Sequence, residues 1–284
     1  MTARRTPEAT YLSGIVAAHR EAAAHDRRDP GSLEEQAQAM PAARGFKDAL
    51  LRCSQTGEQL TKVIAEIKRR SPSKGDLAPH LDPSSLASSY EAGGAACLSV
   101  LTDAGFFGGS VADLEAASAA CSVPVLRKDF TVSRNDVADA RLMGADAILL
   151  IVAALNADEL RDLIGVAARL EIDALVEVHD HEELDVAISC GASLVGVNQR
   201  NLSTFEVDTD LACSIASSIP DAVVAVAESG IKVREQVERI ADAGFDAVLV
   251  GESLVTADDP AATLRPLTTC RTGTRGSLRA VASG

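Results

Sequence analysis

Five apolar segments of the sequence end in charged or amide side chains, and the first shows the pattern most clearly. If VIAEIK (63–68) is a β-strand, its side chains alternate between two faces, so Glu66 and Lys68 share a face with Ile64. Burying a carboxylate and an ammonium costs free energy unless partners or a ligand compensate them. The later segments carry the same feature in Lys128, Glu177, Asn198 and Glu228. Carboxylates and ammoniums that face one another suit general acid–base catalysis.

The elements that must position these side chains alternate between short β-branched runs and Ala-rich helical stretches, which indicates an α/β protein with a parallel sheet. Eight βα units close naturally into a (β/α)8 TIM barrel, whose active site lies at the carboxyl ends of the strands. The eight predicted strands are Val63–Lys68, Cys97–Leu101, Val123–Lys128, Ala147–Ile151, Ala174–Val178, Leu194–Asn198, Val223–Glu228 and Ala247–Val250. The alternative is a doubly wound open sheet, but no G-x-G-x-x-G motif follows the first strand.

Helices are predicted between the strands, and a weak repeat marks where several of them end. A glycine followed by Ala or Phe precedes each even-numbered strand, at Gly94, Gly144, Gly191 and Gly244. Glycine is favoured at the left-handed position that ends a helix. The predicted helices cover 111–120, 134–143, 156–170, 181–190, 209–219 and 232–243.

The 284-residue chain is predicted to contain one barrel with two flanking segments. Residues 1–60 precede the first strand and have apolar residues at helical spacing, so they should form a helical extension packed on the barrel. Residues 61–267 should form the catalytic barrel. Residues 268–284 are basic and rich in Gly, Ser and Thr, which predicts a flexible tail.

The composition excludes several classes of function. Lys and Arg number 27 against 41 Asp and Glu, and this net charge of −14 has the wrong sign for a nucleic-acid binder. No apolar run reaches the roughly 18 residues that span a bilayer. The six cysteines show no C-x-x-C spacing, so we expect reduced thiols in a cytoplasmic protein. A monomer is expected, with a weak dimer as the alternative.

A phosphate site is indicated after the last two strands, and an aromatic wall after the second. Ser229-Gly230 follows the seventh strand and Gly251-Glu252 follows the eighth, where barrels often bind phosphate. Either glycine alone could simply make a tight turn. The loop FFGGS (106–110) holds two of the six Phe residues, which suggests a wall for a substrate ring rather than ordinary packing.

These segments closely resemble the indole-3-glycerol phosphate synthase family. The AEIKR and SPS stretch is quite specific, whereas the glycine steps are shared by many phosphate-binding barrels. YLSGIVAAHREA near the N-terminus also looks like the helical extension of that family. In order along the chain, the matching segments are VIAEIKRRSPSKG, LSVLTDAGFFGGS, PVLRKDF, GADAILLIVAAL, ALVEVHD, GVNQRNLSTFEVD, VAESGI and AVLVGESLV, across about residues 60–255.

The resemblance implies a carboxy-lyase of tryptophan biosynthesis. Its substrate would be 1-(2-carboxyphenylamino)-1-deoxyribulose 5-phosphate, and its products indole-3-glycerol phosphate, CO2 and water. Lys128 would be the general acid at the ketone-derived oxygen, and Glu177 and Lys68 would share the proton transfers of dehydration in an order left open. Glu66, Asn198 and Ser229 complete the implied catalytic set.

The resemblance also implies the residues that bind substrate, and it implies no metal and no organic cofactor. Phosphate would be surrounded by Ser71, Gly230, Gly251 and Glu252, with Ser229. Arg200 would lie near the anionic groups of the substrate. The aryl pocket would be lined by Phe107, Phe130, Leu149 and Ile231.

Several alternatives remain open from the residues alone. Lys128 could form a Schiff base in another phosphosugar aldolase or isomerase. The segment EVHDH could bind a metal through Glu177 and His179, and the barrel could be a non-catalytic sensor or a copy that serves a specialised pathway. We also expect Lys128 to have a lowered pKa beside another cation. The Glu252 side chain should turn to solvent, because a carboxylate repels phosphate.

Overall fold

The computed structural model describes residues 11–51, 57, 59–201 and 204–273, and within them eight parallel strands close into the predicted barrel. Each strand pairs with its neighbours in chain order, and the first pairs with the last. The barrel strands are β1 (Lys62–Ile67), β2 (Cys97–Leu101), β3 (Val125–Lys128), β4 (Ala147–Ile151), β5 (Asp173–Val178), β6 (Leu194–Asn198), β7 (Val224–Glu228) and β8 (Ala247–Val250).

Helices cover the outside of the barrel, and more of them form than the sequence pattern indicated. The predicted helix over 209–219 is split, because a 3-10 turn at Ala216–Ser218 follows its α-helical part. The helices are α1 (Tyr11–His25), α2 (Pro30–Gln38), α3 (Phe46–Leu51), α4 (Pro83–Ala92), α5 (Ala104–Phe107), α6 (Val111–Ala119), α7 (Arg134–Leu142), α8 (Ala157–Arg169), α9 (His181–Ser189), α10 (Leu211–Ile215), α11 (Arg234–Asp242), α12 (Glu252–Val255) and α13 (Pro260–Leu264). A two-stranded hairpin, Arg70–Ser71 with Gly75–Asp76, follows β1.

The two faces of β1 pack as the alternation predicts. Val63, Ala65 and Ile67 belong to the large apolar cluster between the strands and the helices. Ile64 belongs to the cluster inside the barrel, together with residues such as Leu126. Glu66 therefore points into the barrel above an apolar floor, where its charge must be compensated.

The glycine repeat is confirmed in backbone geometry. Gly94, Gly144, Gly191 and Gly244 have φ values of 94°, 83°, 92° and 90°, which L side chains rarely adopt. The N–H of the following residue bonds to the carbonyl five residues earlier, which closes each helix before an even-numbered strand. These turns lead directly into strands β2, β4, β6 and β8.

The described part of the N-terminal extension covers both ends of the barrel. α3 closes the amino ends of the strands, because Phe46, Ala49 and Leu50 join the interior cluster. α1 lies at the opposite end, where Tyr11 and Ile15 line a cavity.

The described end of the chain differs from the predicted tail. Residues 268–273 pack on the barrel, because Arg271 bridges to Leu60 and Cys270 is buried. Residues 274–284 of the predicted tail lie outside the described residues. The five cysteines in the described ranges form no disulfide, and Cys53 lies outside those ranges. No described helix is both long and apolar enough to cross a membrane.

Candidate active site

A cavity of about 400 Å³ opens at the carboxyl ends of the barrel strands. All fifteen site residues expected from the sequence line it. They come from different strands and loops, and the closed parallel barrel brings them together because all its strands end at one rim. The fifteen are Glu66, Lys68, Ser71, Phe107, Lys128, Phe130, Leu149, Glu177, Asn198, Arg200, Ser229, Gly230, Ile231, Gly251 and Glu252.

Lys128 lies at the centre of the charged groups. Its Nζ is 3.0 Å from Glu177 Oε2 and 3.1 Å from Glu228 Oε2, and all three side chains are at most 12% exposed. Burial alone would lower the pKa of Lys128, but Glu177, Glu228 and Glu66 outweigh burial and raise it well above its usual range. The expectation of a lowered pKa was wrong, because the groups that surround the ammonium are carboxylates rather than cations.

The two carboxylates bound to Lys128 differ in their other partners. Glu177 Oε1 also accepts a hydrogen bond from Asn198 Nδ2 at 3.0 Å, whereas Glu228 Oε1 has no hydrogen-bond partner among the described residues. Burial raises the pKa of Glu228 to about 7, despite Lys128. Burial acts on Glu177 too, but Lys128, His179 and Asn198 together keep its pKa below its usual range. One carboxyl is thus ionised at neutral pH while the other titrates there.

Two glycines make room for this carboxylate cluster. A Cβ atom at Gly196 would collide with Glu228 Oε1, and one at Gly251 would lie 2.5 Å from Glu66 Oε2. A larger residue at Gly196, the inward position on β6, would therefore displace the Glu228 carboxylate on β7. Glu66 in turn accepts a hydrogen bond from Lys68 Nζ, so the second lysine of the cavity is paired beside the first.

Asn198 links Glu177 to the predicted phosphate loop. Its Oδ1 accepts hydrogen bonds from Ser229 Oγ at 2.8 Å and from the Arg200 backbone N–H at 3.0 Å. Ser229 and Gly230 have φ values of 68° and 77°, so both occupy the left-handed region. This strained turn points the serine hydroxyl back toward the charged cluster.

The end of the cavity that the sequence predicts to bind phosphate contains two lysines that were not predicted. Glu252 accepts hydrogen bonds from Lys74 Nζ at 2.5 Å and from Lys232 Nζ at 3.3 Å. The expectation that the Glu252 side chain turns to solvent was wrong, because these two cations hold its carboxylate at the rim of the cavity. Together the three charges sum to one positive charge, so the site retains attraction for an anion. Lys74 in SPSKG and Lys232 in SGIK lie close in sequence to Ser71 and Gly230. That closeness was the sequence signal that could have identified them.

The other end of the cavity is apolar. The rings of Phe107 and Phe130 lie 6.3 Å apart, and Leu149 and Ile231 are buried nearby in the cavity lining. Such a wall suits an aryl ring, because aromatic and aliphatic surface is removed from water on binding.

Helix α1 is held over the apolar end by polar contacts that sequence reasoning missed. His19 Nε2 is 3.1 Å from Asp103 Oδ2 and 3.8 Å from Asp129 Oδ1, and its ring packs on Phe130. The spacing of this trio would suit a metal ion, but its carboxylates already accept bonds from the backbone after Asp103 and from Arg127. The trio therefore acts as a docking contact.

Two of the open alternatives are weakened by this geometry. A Schiff base requires a neutral amine, whereas the carboxylates around Lys128 favour its ammonium. In EVHDH, both ring nitrogens of His179 already face Glu177 and Glu183, and His181 begins α9 with its side chain exposed.

Comparison with known proteins gives a consistent result. The sequence profile of the indole-3-glycerol phosphate synthase family matches residues 12–267. A synthase of that name from Beutenbergia cavernae is 48% identical over 274 residues, covering 96% of this chain and 99% of the relative. One from Nocardioides is 54% identical over 208 residues, covering 73% and 80%. One from Chlorobium phaeovibrioides is 47% identical, covering 86% and 94%.

Solved structures of lower identity support the fold alone. A thiamine phosphate pyrophosphorylase from Pyrococcus furiosus aligns with a TM-score of 0.56 and 16% identity, covering 74% of this chain and 94% of that one. An N-acetylmannosamine-6-phosphate 2-epimerase from Clostridium perfringens aligns with a TM-score of 0.54 and 16% identity, covering 68% and 86%.

We predict that Glu228→Gln stabilises the protein in a pH-dependent way. The unfolded chain releases the Glu228 proton near pH 4.5, whereas the folded protein holds it to about 7. The ionised form therefore destabilises the fold increasingly as pH rises through this window. The variant should gain roughly 1–3 kcal/mol in free energy of unfolding at pH 8 and nothing at pH 4.5, measured by urea denaturation.

Glu115→Gln, at an exposed position on α6, is the matched control and should change stability little at either pH. A stability gain for Glu228→Gln that is equal at both pH values would contradict this assignment.

Proposed function

The chain belongs to the indole-3-glycerol phosphate synthase family, and we propose that its barrel cavity carries out that family's reaction with Lys128 as general acid. As members of this family do, the protein acts as a lyase of tryptophan biosynthesis. The observation that carries the proposal is the contact of Lys128 with Glu177 and Glu228 at the centre of a cavity that is cationic at one end and apolar at the other.

The two ends of the cavity give the substrate one orientation. The phosphate of 1-(2-carboxyphenylamino)-1-deoxyribulose 5-phosphate binds beside Gly230, Gly251 and the cations Lys74 and Lys232. The aryl ring lies against the phenylalanine wall. Arg200 follows strand β6 and lines the cavity, where its guanidinium can bind the substrate carboxylate.

In the first step, the aryl carbon that bears the carboxylate attacks the ketone carbon. The ketone oxygen gains the electron pair of its C=O bond and takes a proton from the Lys128 ammonium. The oxygen thereby becomes a hydroxyl group, and Lys128 is left as a neutral amine. Breaking the bond between the ring and its carboxylate then releases CO2 and restores the aromatic ring. Glu228, whose pKa is raised to about 7, is placed to return a proton to Lys128.

In the second step, the new hydroxyl leaves as water and a neighbouring carbon loses a proton, which completes the indole. We assign the acid role to Lys68, because its ammonium is paired with Glu66 at the rim of β1. We assign the base role to Glu177, because it remains ionised and therefore able to accept a proton. Asn198 holds Glu177 by a hydrogen bond, and Ser229 in turn donates a hydrogen bond to Asn198.

The protein is further proposed to act as a cytoplasmic monomer on this small anionic substrate, without nucleic acid, metal or organic cofactor. The support is chemical. Ring closure, decarboxylation and dehydration need only acids, bases and electrostatic stabilisation, which the side chains of the cavity supply.

The direct test of this role is Lys128→Met in an assay for indole fluorescence with the anilino-deoxyribulose phosphate as substrate. Removing a general acid typically costs a factor of about 10²–10⁴, so kcat should fall in that range. Lys47→Met is the control, because Lys47 lies on α3 at the opposite end of the barrel. Full turnover by Lys128→Met would contradict the assignment, and a borohydride-trapped adduct at Lys128 would instead indicate covalent chemistry.

The double variant Lys74→Met/Lys232→Met tests the phosphate end. It should raise KM for the substrate about 30- to 150-fold, since each of the two lost contacts between a cation and phosphate removes roughly 1–1.5 kcal/mol. The value of kcat should change by less than about threefold, because this loss falls on ground state and transition state alike. Steady-state kinetics would contradict the assignment if KM were unchanged and kcat fell instead.

A further inference from the structure

His179 follows strand β5 and lies between two carboxylates, yet it is absent from the cavity lining. Its Nε2 is 3.3 Å from Glu177 Oε1, and its Nδ1 is 3.0 Å from Glu183 Oε2. Its side chain is 14% exposed, and Glu177 is 2% exposed. The imidazole thus separates the catalytic cluster from the outer surface of the barrel.

Helix α9 fixes the outer carboxylate. Asp180 caps the helix by accepting the backbone N–H of Glu183 at 2.8 Å. Glu183 Oε2 turns back and accepts the backbone N–H of His179 at 2.8 Å as well as its ring nitrogen. One carboxylate in the first turn of α9 therefore holds both the backbone and the ring of His179. The N-terminus of a helix also favours a negative charge at this position.

The two carboxylates that contact Lys128 provide an internal comparison. Glu177 and Glu228 lie at nearly equal distances from the ammonium and are equally buried, but their pKa values move in opposite directions. Part of the difference lies in their remaining partners, because Glu177 faces His179 and Asn198 whereas Glu228 faces neither. The negative charges of Glu177 and Glu66 add to the raised pKa of Glu228. Lys128 is shared by both carboxylates, so it cannot by itself account for the difference.

We propose that His179, held by Glu183, is a positioning residue that keeps Glu177 ionised and aimed into the cavity during the reaction. This inference rests on the proposed function. An imidazolium whose Nδ1 is hydrogen-bonded to Glu183 and whose Nε2 lies 3.3 Å from Glu177 Oε1 adds a positive charge to the cluster, beside Lys128 and Lys68. Because His179 does not line the cavity, it occupies no space that the substrate requires. Glu177 can then accept a proton from carbon at neutral pH.

The charges that act on this imidazole come from several elements. Glu177 on β5 and Glu183 on α9 face the ring directly. Lys128 on β3 contacts the other side of Glu177, and Glu228 on β7 and Glu66 on β1 lie around Lys128. Burial lowers the pKa of His179, but the two facing carboxylates outweigh it and raise the pKa to about 10.

The first test is independent of activity. In the ligand-free protein, NMR of the ¹⁵N-labelled imidazoles should show His179 protonated on both nitrogens through pH 9. Titration of His179 near pH 6.5 would overturn the proposal. If the protein failed to convert the anilino-deoxyribulose phosphate at all, the proposed function would fail, and this titration would still decide the role of His179.

The second test is the pH profile of kcat in His179→Gln, which keeps a donor but removes the charge. The acid limb should move upward by at least about one pH unit, with KM changed less than about threefold. Glu183→Gln should shift the limb in the same direction by less, and Glu182→Gln, an exposed neighbour on α9, should leave it unchanged. Equal loss of kcat at every pH, or an unshifted limb in both variants, would overturn the proposal. If His179→Gln does not fold, Glu183→Gln carries the test.

Discussion

The structure of the cavity depends on one constraint: a buried ammonium, Lys128, must be compensated by carboxylates, and those carboxylates must in turn be compensated. Glu177 and Glu228 both contact Lys128, and Glu66 adds a third negative charge nearby. One ammonium cannot neutralise three buried carboxylates, so the surplus is met in three different ways. Glu66 pairs with Lys68, Glu177 gains His179, and Glu228 retains its proton to about pH 7. The same compensation gives two carboxyl groups different roles, because one remains a proton acceptor and another a proton donor.

The barrel makes this concentration of charge possible. Its apolar interior ends in a layer that includes Leu149, Leu175 and Val226, and the charged side chains begin one step further along the strands. Closure of the sheet fixes the distances between strands that are far apart in sequence, so the cluster is held by the whole fold rather than by any loop. Loops and helix α1 contribute instead to the lining of the two ends of the cavity.

Much of this architecture could be predicted from the sequence, because alternation within a strand determines which face each side chain occupies. That rule places Glu66, Lys128 and Glu177 on inward faces, and the closed parallel barrel brings the carboxyl ends of their strands to one rim. The sign of the pKa shift at Lys128 could not be predicted, since it depends on which charges meet across the barrel. The pairing of Glu252 with Lys232 and of His19 with Asp103 was also missed, because nothing in the local pattern indicates contacts across 20 or 84 residues.

The central claim is that Lys128 is an ammonium held by carboxylates, and therefore an acid rather than an amine nucleophile. The most direct measurement is a pH titration of its side-chain nitrogen in the ligand-free protein, by NMR with ¹⁵N-labelled lysine and Lys128→Met for assignment. The ammonium should persist to a pH above the ordinary lysine value of 10.5. A midpoint between pH 7 and 9 would contradict the claim, because the free amine would then be available at neutral pH for covalent chemistry.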